Sequence, residues 1–295
     1  MSHGYQAWRW IFIIEGAATA FVAIIASFLI VDWPEQCRFL DAEEKVLLKR
    51  RLADDGIDCA RMDTLNKYAY KLICTDWKIW LGSFMYMGLG TTGYAMTFFM
   101  PTILNEFGWV AEEAQIRTIP VYGVSAVGTL VTAYLSDRFR HRYGFIMLGC
   151  LIATVGYSLL LHQTGLRQGP RYAALFLVSL GGNMATPMSL AWLSNNVSGR
   201  WKRAFSSGIQ VTIGNLSGVI GTNVFVQNNA SKYKTGYAAS MSMLWLGAVS
   251  ATAMFVGLWI ENRKRAAGKR DHRLALPDEQ VKNMGDHHPS FRFAL

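Results

Sequence analysis

The chain has 295 residues, 52% of them hydrophobic and only 17% charged, with a formal net charge of +9. Soluble chains average about 25% charged residues, and here the charges also avoid long stretches, which excludes an ordinary soluble domain. No ionisable acid or base occurs in residues 17–31, 80–105, 118–136, 143–161, 172–199, 205–230 or 235–260. A bilayer core takes about 20 apolar residues per helix. The pattern therefore predicts an all-α polytopic membrane protein with seven transmembrane helices.

The first helix is expected over residues 8–31, with Trp8 and Trp10 at an interfacial position. The segment lacks the basic start and small-x-small site of a signal peptide. Glu15 is the one acid inside a span, and an intramembrane carboxylate is a functional candidate by default. It is the proton-coupling candidate; the alternative is a structural role near the helix end, paired with Arg9.

The polar loop 32–78 follows. Asp41 and Glu44 form a capping-box pattern. Val46, Leu47, Leu48 and Leu52 against Lys45, Lys49, Arg50 and Arg51 then predict a short amphipathic helix, either on the membrane surface or as a solvated linker. Cys37, Cys59 and Cys74 lie in this loop and Cys150 in an apolar run. No CxxC spacing exists, so neither zinc nor a redox pair is indicated. No metal, cofactor or catalytic residue is expected.

Further helices are predicted at 79–101, 117–135, 143–162, 171–194, 208–227 and 238–260. Gly88, Gly90 and Gly93 fit a GxGxxG spacing, but they follow no strand and sit in an apolar span, so a dinucleotide site is rejected. The turn after the third span carries Asp137 and Arg138 with Arg140 and Arg142, and is either a charge-paired gating latch or a solvated turn. Arg200, Lys202 and Arg203 in the 195–207 loop either contribute to the same gate or only set orientation. Of the three glycosylation sequons, Asn196 falls in a loop, Asn215 in a span and Asn229 near the opposite surface.

Orientation follows from lysine and arginine. If alternate loops lie inside, the four inner segments hold nine, three, three and eight basic residues, 23 in all, against 6 outside. The positive-inside rule then puts the N-terminus outside and the C-terminus in the cytoplasm. The high positive charge reads as topology and anionic-lipid contact. Nucleic-acid binding is disfavoured because no basic stripe stands on a soluble fold.

Uncharged polar residues within spans are the substrate-binding candidates: Tyr86, Tyr94, Tyr122, Asn183, Trp192 and Asn215. Amides, phenols and an indole can hydrogen-bond an organic anion without stranding a charge in lipid; the competing role is helix–helix hydrogen bonding. Gly214, Gly218 and the glycines around Gly181 favour close packing. Pro101, Pro120 and Pro187 permit kinks or helix ends.

Several segments carry a resemblance. They are Trp8-Arg-Trp-Ile-Phe-Ile-Ile-Glu-Gly16, Phe39-Leu-Asp-Ala-Glu-Glu44, Phe98-Phe-Met-Pro-Thr-Ile103 and Ala114-Gln-Ile-Arg-Thr-Ile-Pro-Val-Tyr122. Asn195-Asn-Val-Ser-Gly-Arg-Trp-Lys-Arg-Ala204 with Gly214-Asn215, and the tail Gly285-Asp-His-His-Pro-Ser-Phe-Arg292, add to them. In this order they resemble the major facilitator superfamily, and within it the fungal anion:cation symporters related to allantoate permease. The turn at Asp137-Arg138 resembles that superfamily's Gly-x-x-x-Asp-Arg-x-Gly-Arg-Arg motif, with Ala133 and Arg140 in place of its two glycines.

The resemblance implies a partial major facilitator fold, helices six to twelve of twelve. Residues 1–31 would be the last helix of the first half, 32–78 the inter-half loop, 79–260 the six-helix second half and 261–295 a cytoplasmic tail. Asp137, Arg138 and Arg203 become gating residues. The implied activity is secondary, proton-coupled symport of a small organic anion or vitamin-like carboxylate, at the plasma membrane. Such transporters rock two halves about a shared site. One half alone is expected not to transport, and to need a first half made elsewhere or a second copy. A seven-helix receptor and a non-transporting fragment are the alternatives. A membrane enzyme ranks last, since no GxSxG or HExxH motif is present.

Overall fold

The computed structural model describes residues 7–30, 40–54, 67–224, 233–275, 281 and 284–295. Cys37, Cys59 and the sequon at Asn229 lie outside the described residues. The described residues are helical, without strands: α1 (Ala7–Leu29), α2 (Ala42–Asp54), α3 (Lys67–Cys74), α4 (Trp77–Glu106), α5 (Ala111–Phe139), α6 (Arg142–Leu161), α7 (Gln168–Asn195), α8 (Arg200–Val224) and α9 (Lys234–Ala266). Two short 3-10 turns, Asp271–Ala275 and Gly285–His287, follow. The chain divides into two units at residue 58.

In the first unit α1 is apolar on every side and exposes them all, Phe28 at 85%. Such a helix needs lipid or a protein partner around it. Its hydroxyls are satisfied internally, Thr19 donating to the Glu15 carbonyl at 2.8 Å and Ser27 to the Ile24 carbonyl at 2.7 Å, as a spanning helix requires. At the start of α2 the Asp41 amide donates to Glu44 Oε2 at 3.1 Å, one half of a capping box.

In the second unit α4 is central and packs on α5, α7, α8 and α9, while α6 packs on α7 and α9. Small residues permit this. Gly149 and Ala153 on α6 face Gly181 and Ala185 on α7, and an added Cβ at either glycine would strike the other helix's backbone. That is a reciprocal small-xxx-small contact. The core between the helices holds Met85, Leu89, Met96, Tyr157, Trp192 and Leu244 among its buried side chains.

Several boundaries differ from the sequence expectation: α5 begins at Ala111 and not at 117, and α9 runs to Ala266 and not to 260. Helix α4 runs through Pro101 to Glu106. Helix α8 begins at Arg200 and not at 208. Its first turns are polar in sequence, but Lys202 there is fully buried and Phe205 packs edge-on against Tyr70 of α3 at 5.8 Å. Tertiary packing, and not a bilayer, accounts for those two turns.

Among the described residues five helices are long and apolar enough to cross a membrane: α1, α5, α6, α7 and α9. At 30 and 25 residues α4 and α8 have the length. They are diluted by Gly, Ser, Thr, Tyr, Gln and Asn. These two helices carry Tyr86, Tyr94 and Asn215.

Candidate functional site

Tyr86 and Tyr94 are eight residues apart on α4, hence on one helical face. Gly214 and Gly218 are one turn apart on α8. A Cβ at Gly214 would overlap the Tyr86 ring, and one at Gly218 would touch the Tyr94 ring at 3.5 Å. The glycines thus seat both rings, and the Tyr94 hydroxyl donates to Asn215 Oδ1 at 3.0 Å. Both phenols are half-buried and Asn215 is exposed, so this seam of uncharged donors and acceptors is open on one side. A second polar string joins α5 to α7: the Asn183 amide donates to Ser179 Oγ at 3.2 Å, and Ser125 Oγ donates to it at 2.9 Å. Tyr122, 36% exposed, lies beside this string on α5.

The sixth candidate, Trp192, is elsewhere. It is fully buried, and its indole N–H donates to the Ala294 carbonyl at 3.0 Å. Its hydrogen-bonding capacity is spent on the chain's own tail.

That contact belongs to a charge cluster missed from sequence. Asp76 caps α4, accepting from the Lys78 amide at 3.1 Å. Its Oδ2 lies 2.5 Å from Lys202 Nζ and 3.3 Å from Lys78 Nζ, as ion pairs without hydrogen-bond angles. Asp286, from the tail, pairs with both lysines: Lys202 Nζ donates to its Oδ1 at 2.7 Å and Lys78 Nζ to its Oδ2. All four side chains are at most 3% exposed. Burial alone would raise the Asp286 carboxyl, but the two ammoniums overcome this and hold it below the usual carboxylate range. Burial pushes the neighbouring His287 imidazole well below its ordinary value, with Asp286 opposing and the lysines assisting.

Asp76, Asp286 and His287 also bring ligand atoms within 4.8 Å of one another. Two ammoniums already neutralise both carboxylates there, so a divalent cation would have to displace two lysines. The set is built as an ion-pair cluster and not as a metal site.

The expected gate residues lie at the α5–α6 turn and at the start of α8. Asp137 pairs with Arg142 at 2.9 Å, across the α5–α6 turn. Arg140, where the motif has glycine, adopts the left-handed conformation at φ 53°. Arg203 donates to the Val197 carbonyl at 3.4 Å, while its neighbour Lys202 takes the central place. Glu15 lies on exposed α1. Sequence named Lys202 only with its loop neighbours and could not single out Asp76, Lys78 and Asp286, because each stands in a polar stretch that reads as solvated. A groove of about 520 Å³ on α8, lined by Trp201, Phe205, Ile209 and Ile213 among others, is apolar and offers no charge for an anion.

A family model described as Major Facilitator Superfamily matches residues 1–222. The chain is similar to an uncharacterized transporter of Schizosaccharomyces pombe, 29% identical over 98% of this chain and 57% of that protein. It is similar to the MFS-type transporter cnsO of Penicillium expansum, 26% identical over 99% and 59%. It is also similar to the high-affinity nicotinic acid transporter of Saccharomyces cerevisiae, 24% identical over 99% and 54%. The chain spans about half the length of the curated relatives it matches. With the match covering most of its residues, the chain belongs to the Major Facilitator Superfamily.

Proposed function

We propose that the chain is the helix-six-to-twelve portion of an integral membrane transporter that moves a small organic anion, of the allantoate-permease-like kind, by proton-coupled symport. The observation that carries this reading is the open seam on α4 and α8, where Tyr86, Tyr94 and Asn215 present uncharged donors and acceptors side by side. Uncharged groups suit a polar substrate in a low-dielectric site without leaving charge stranded. Family membership and the nicotinic acid transporter's name support a carboxylate-bearing substrate.

In this reading α1 and α4–α9 are the seven spans, and residues 32–78 are the cytoplasmic loop between halves. The tail lies in the cytoplasm, and the membrane is the plasma membrane. Tyr122 and Asn183 extend the substrate wall; Glu15 carries the coupled proton; Asp137, Arg138 and Arg203 set the conformational balance. Trp192 serves the tail. Alternating access needs two halves, so the partner is a first half or a second copy.

The test is uptake of labelled organic acids, nicotinate among them, in cells expressing residues 1–295 alone or with the five preceding helices of a relative joined in frame. Saturable uptake that follows the pH gradient is expected only for the joined form, and Asn215→Ala should raise its KM. Uptake by the chain alone would refute the need for a second half. Unaltered kinetics in Asn215→Ala would remove the seam from the substrate path.

A further inference from the structure

The tail residues 284–295 are held by side chains that read its backbone. Asn262 on α9 donates to the Phe293 carbonyl at 2.9 Å and accepts from the Phe293 amide at 2.9 Å. Asn196 at the end of α7 does the same for Ala294, at 3.0 and 2.8 Å. Two carboxamides thus stand in for two residues of a neighbouring strand, which is how extended peptides are recognised. Arg265 donates to the carbonyls of Asp286, His288 and Phe291 at 2.9, 3.2 and 2.8 Å. The Phe293 ring, 6% exposed, lies between the Lys78 ammonium at 4.5 Å and the Arg265 guanidinium at 4.3 Å.

The charges divide in a telling way. Asp76 belongs to the bundle and neutralises one of the two lysines. Asp286 neutralises the other, and it arrives on the tail. With the tail seated, two ammoniums face two carboxylates. With the tail away, a buried ammonium is left over, and an unpaired buried charge is unfavourable until water reaches it. Seated and unseated are therefore two discrete arrangements, and the unseated one must be wetter and more open.

We propose that the ends of α4, α7, α8 and α9 form a peptide-binding site whose ligand is the chain's own segment 284–295, and that its occupancy is a reversible latch closing this end of the bundle. The site selects a carboxylate followed seven residues later by an aromatic ring: the lysine pair takes Asp286, and the Lys78–Arg265 gap takes Phe293. This is independent of which solute the protein carries.

The test is hydrogen–deuterium exchange on the full chain in lipid nanodiscs, resolved for the tail and for α6. In the unaltered chain the amides of Phe293 and Ala294 should exchange slowly. In Asp286→Asn they should speed up on the order of 100-fold while α6 keeps its protection; Asp286→Glu should restore most of the slow exchange. A synthetic peptide of residues 281–295 should bind the Asp286→Asn chain and, because the site is filled, bind the unaltered chain at least tenfold more weakly. Loss of protection throughout the bundle in Asp286→Asn would make the tail a fixed strut and overturn the latch. So would an unchanged tail, or equal peptide binding to both chains.

Discussion

The seam on α4 and α8 and the cluster at the tail end are both polar, yet they are built oppositely. The seam is uncharged, half-open and seated on glycines. The cluster is charged, closed and paired ion by ion. The difference follows from electrostatics. A carboxylate or ammonium left open within a membrane is costly, so full charges are tolerable only where partners surround them. Hydroxyls and amides can be left half-satisfied because a passing ligand can complete them. Charge in this chain's buried cluster is held in closed pairs, and the uncharged seam is left half-open.

Breaking the cluster should have the largest effect. Lys202→Met leaves two buried carboxylates facing one ammonium. It should lower stability by about 3–5 kcal/mol, read from thermal unfolding in detergent. Next is the packing that brings the helices together. Gly181→Leu drives a side chain into the α6 backbone and should cost about 1–3 kcal/mol, with faster exchange in α6 and α7.

Acid should loosen the cluster and spare the seam. His287 faces Asp286, Asp76, Lys78 and Lys202, and its folded-state pKa lies below the ordinary His value of about 6.5. The free tail therefore takes up a proton more readily than the seated one. Seating is fully favoured above about pH 6.5 and weakens as the pH falls below it. Asp286, with its own pKa depressed, adds loss only once the pH drops beneath the carboxylate range. Tail exchange measured at pH 7.5 and pH 5.5 should rise at the lower pH after correction for intrinsic rates. An unchanged corrected rate would remove His287 from the latch.

Effects at the seam and the turn should be small. Tyr94→Phe removes one hydrogen bond to an exposed amide and should cost about 0.6 kcal/mol, the usual value between membrane helices. Arg140→Gly relieves a left-handed residue, a conformation that costs roughly 1–2 kcal/mol. Glycine's greater chain entropy returns about half of that. A gain of about 0.5–1 kcal/mol should raise the melting temperature slightly.

The sequence exposed the helices well, because charge-free runs of spanning length have few other uses. It was weaker at their ends. Lys202 read as a loop cation, either part of a gate or only setting orientation, when α8 starts two residues before it and buries it. Arg203, the neighbour singled out for gating, donates its guanidinium to the Val197 carbonyl at 3.4 Å. Tyr86, Tyr94 and Asn215 came from a simple filter, uncharged polarity inside a span, and α4 and α8 bring them together. The same filter admitted Trp192, since nothing in one dimension tells that an indole faces the tail. Asp76, Lys78 and Asp286 were out of reach for a related reason. The partners Lys78 and Asp286 are 208 residues apart, and each stands in a polar segment where solvation is the ordinary expectation.

The claim that this end of the bundle is held by the tail's charge is tested most directly by a double-mutant cycle between Asp286 and Lys202. Asp286→Asn, Lys202→Met and the double substitution would be compared by reversible unfolding in detergent at pH 7.5. A coupling of about 2–3 kcal/mol is predicted, at the upper end for residues in direct contact. A coupling below about 0.5 kcal/mol, as for independent sites, would contradict it.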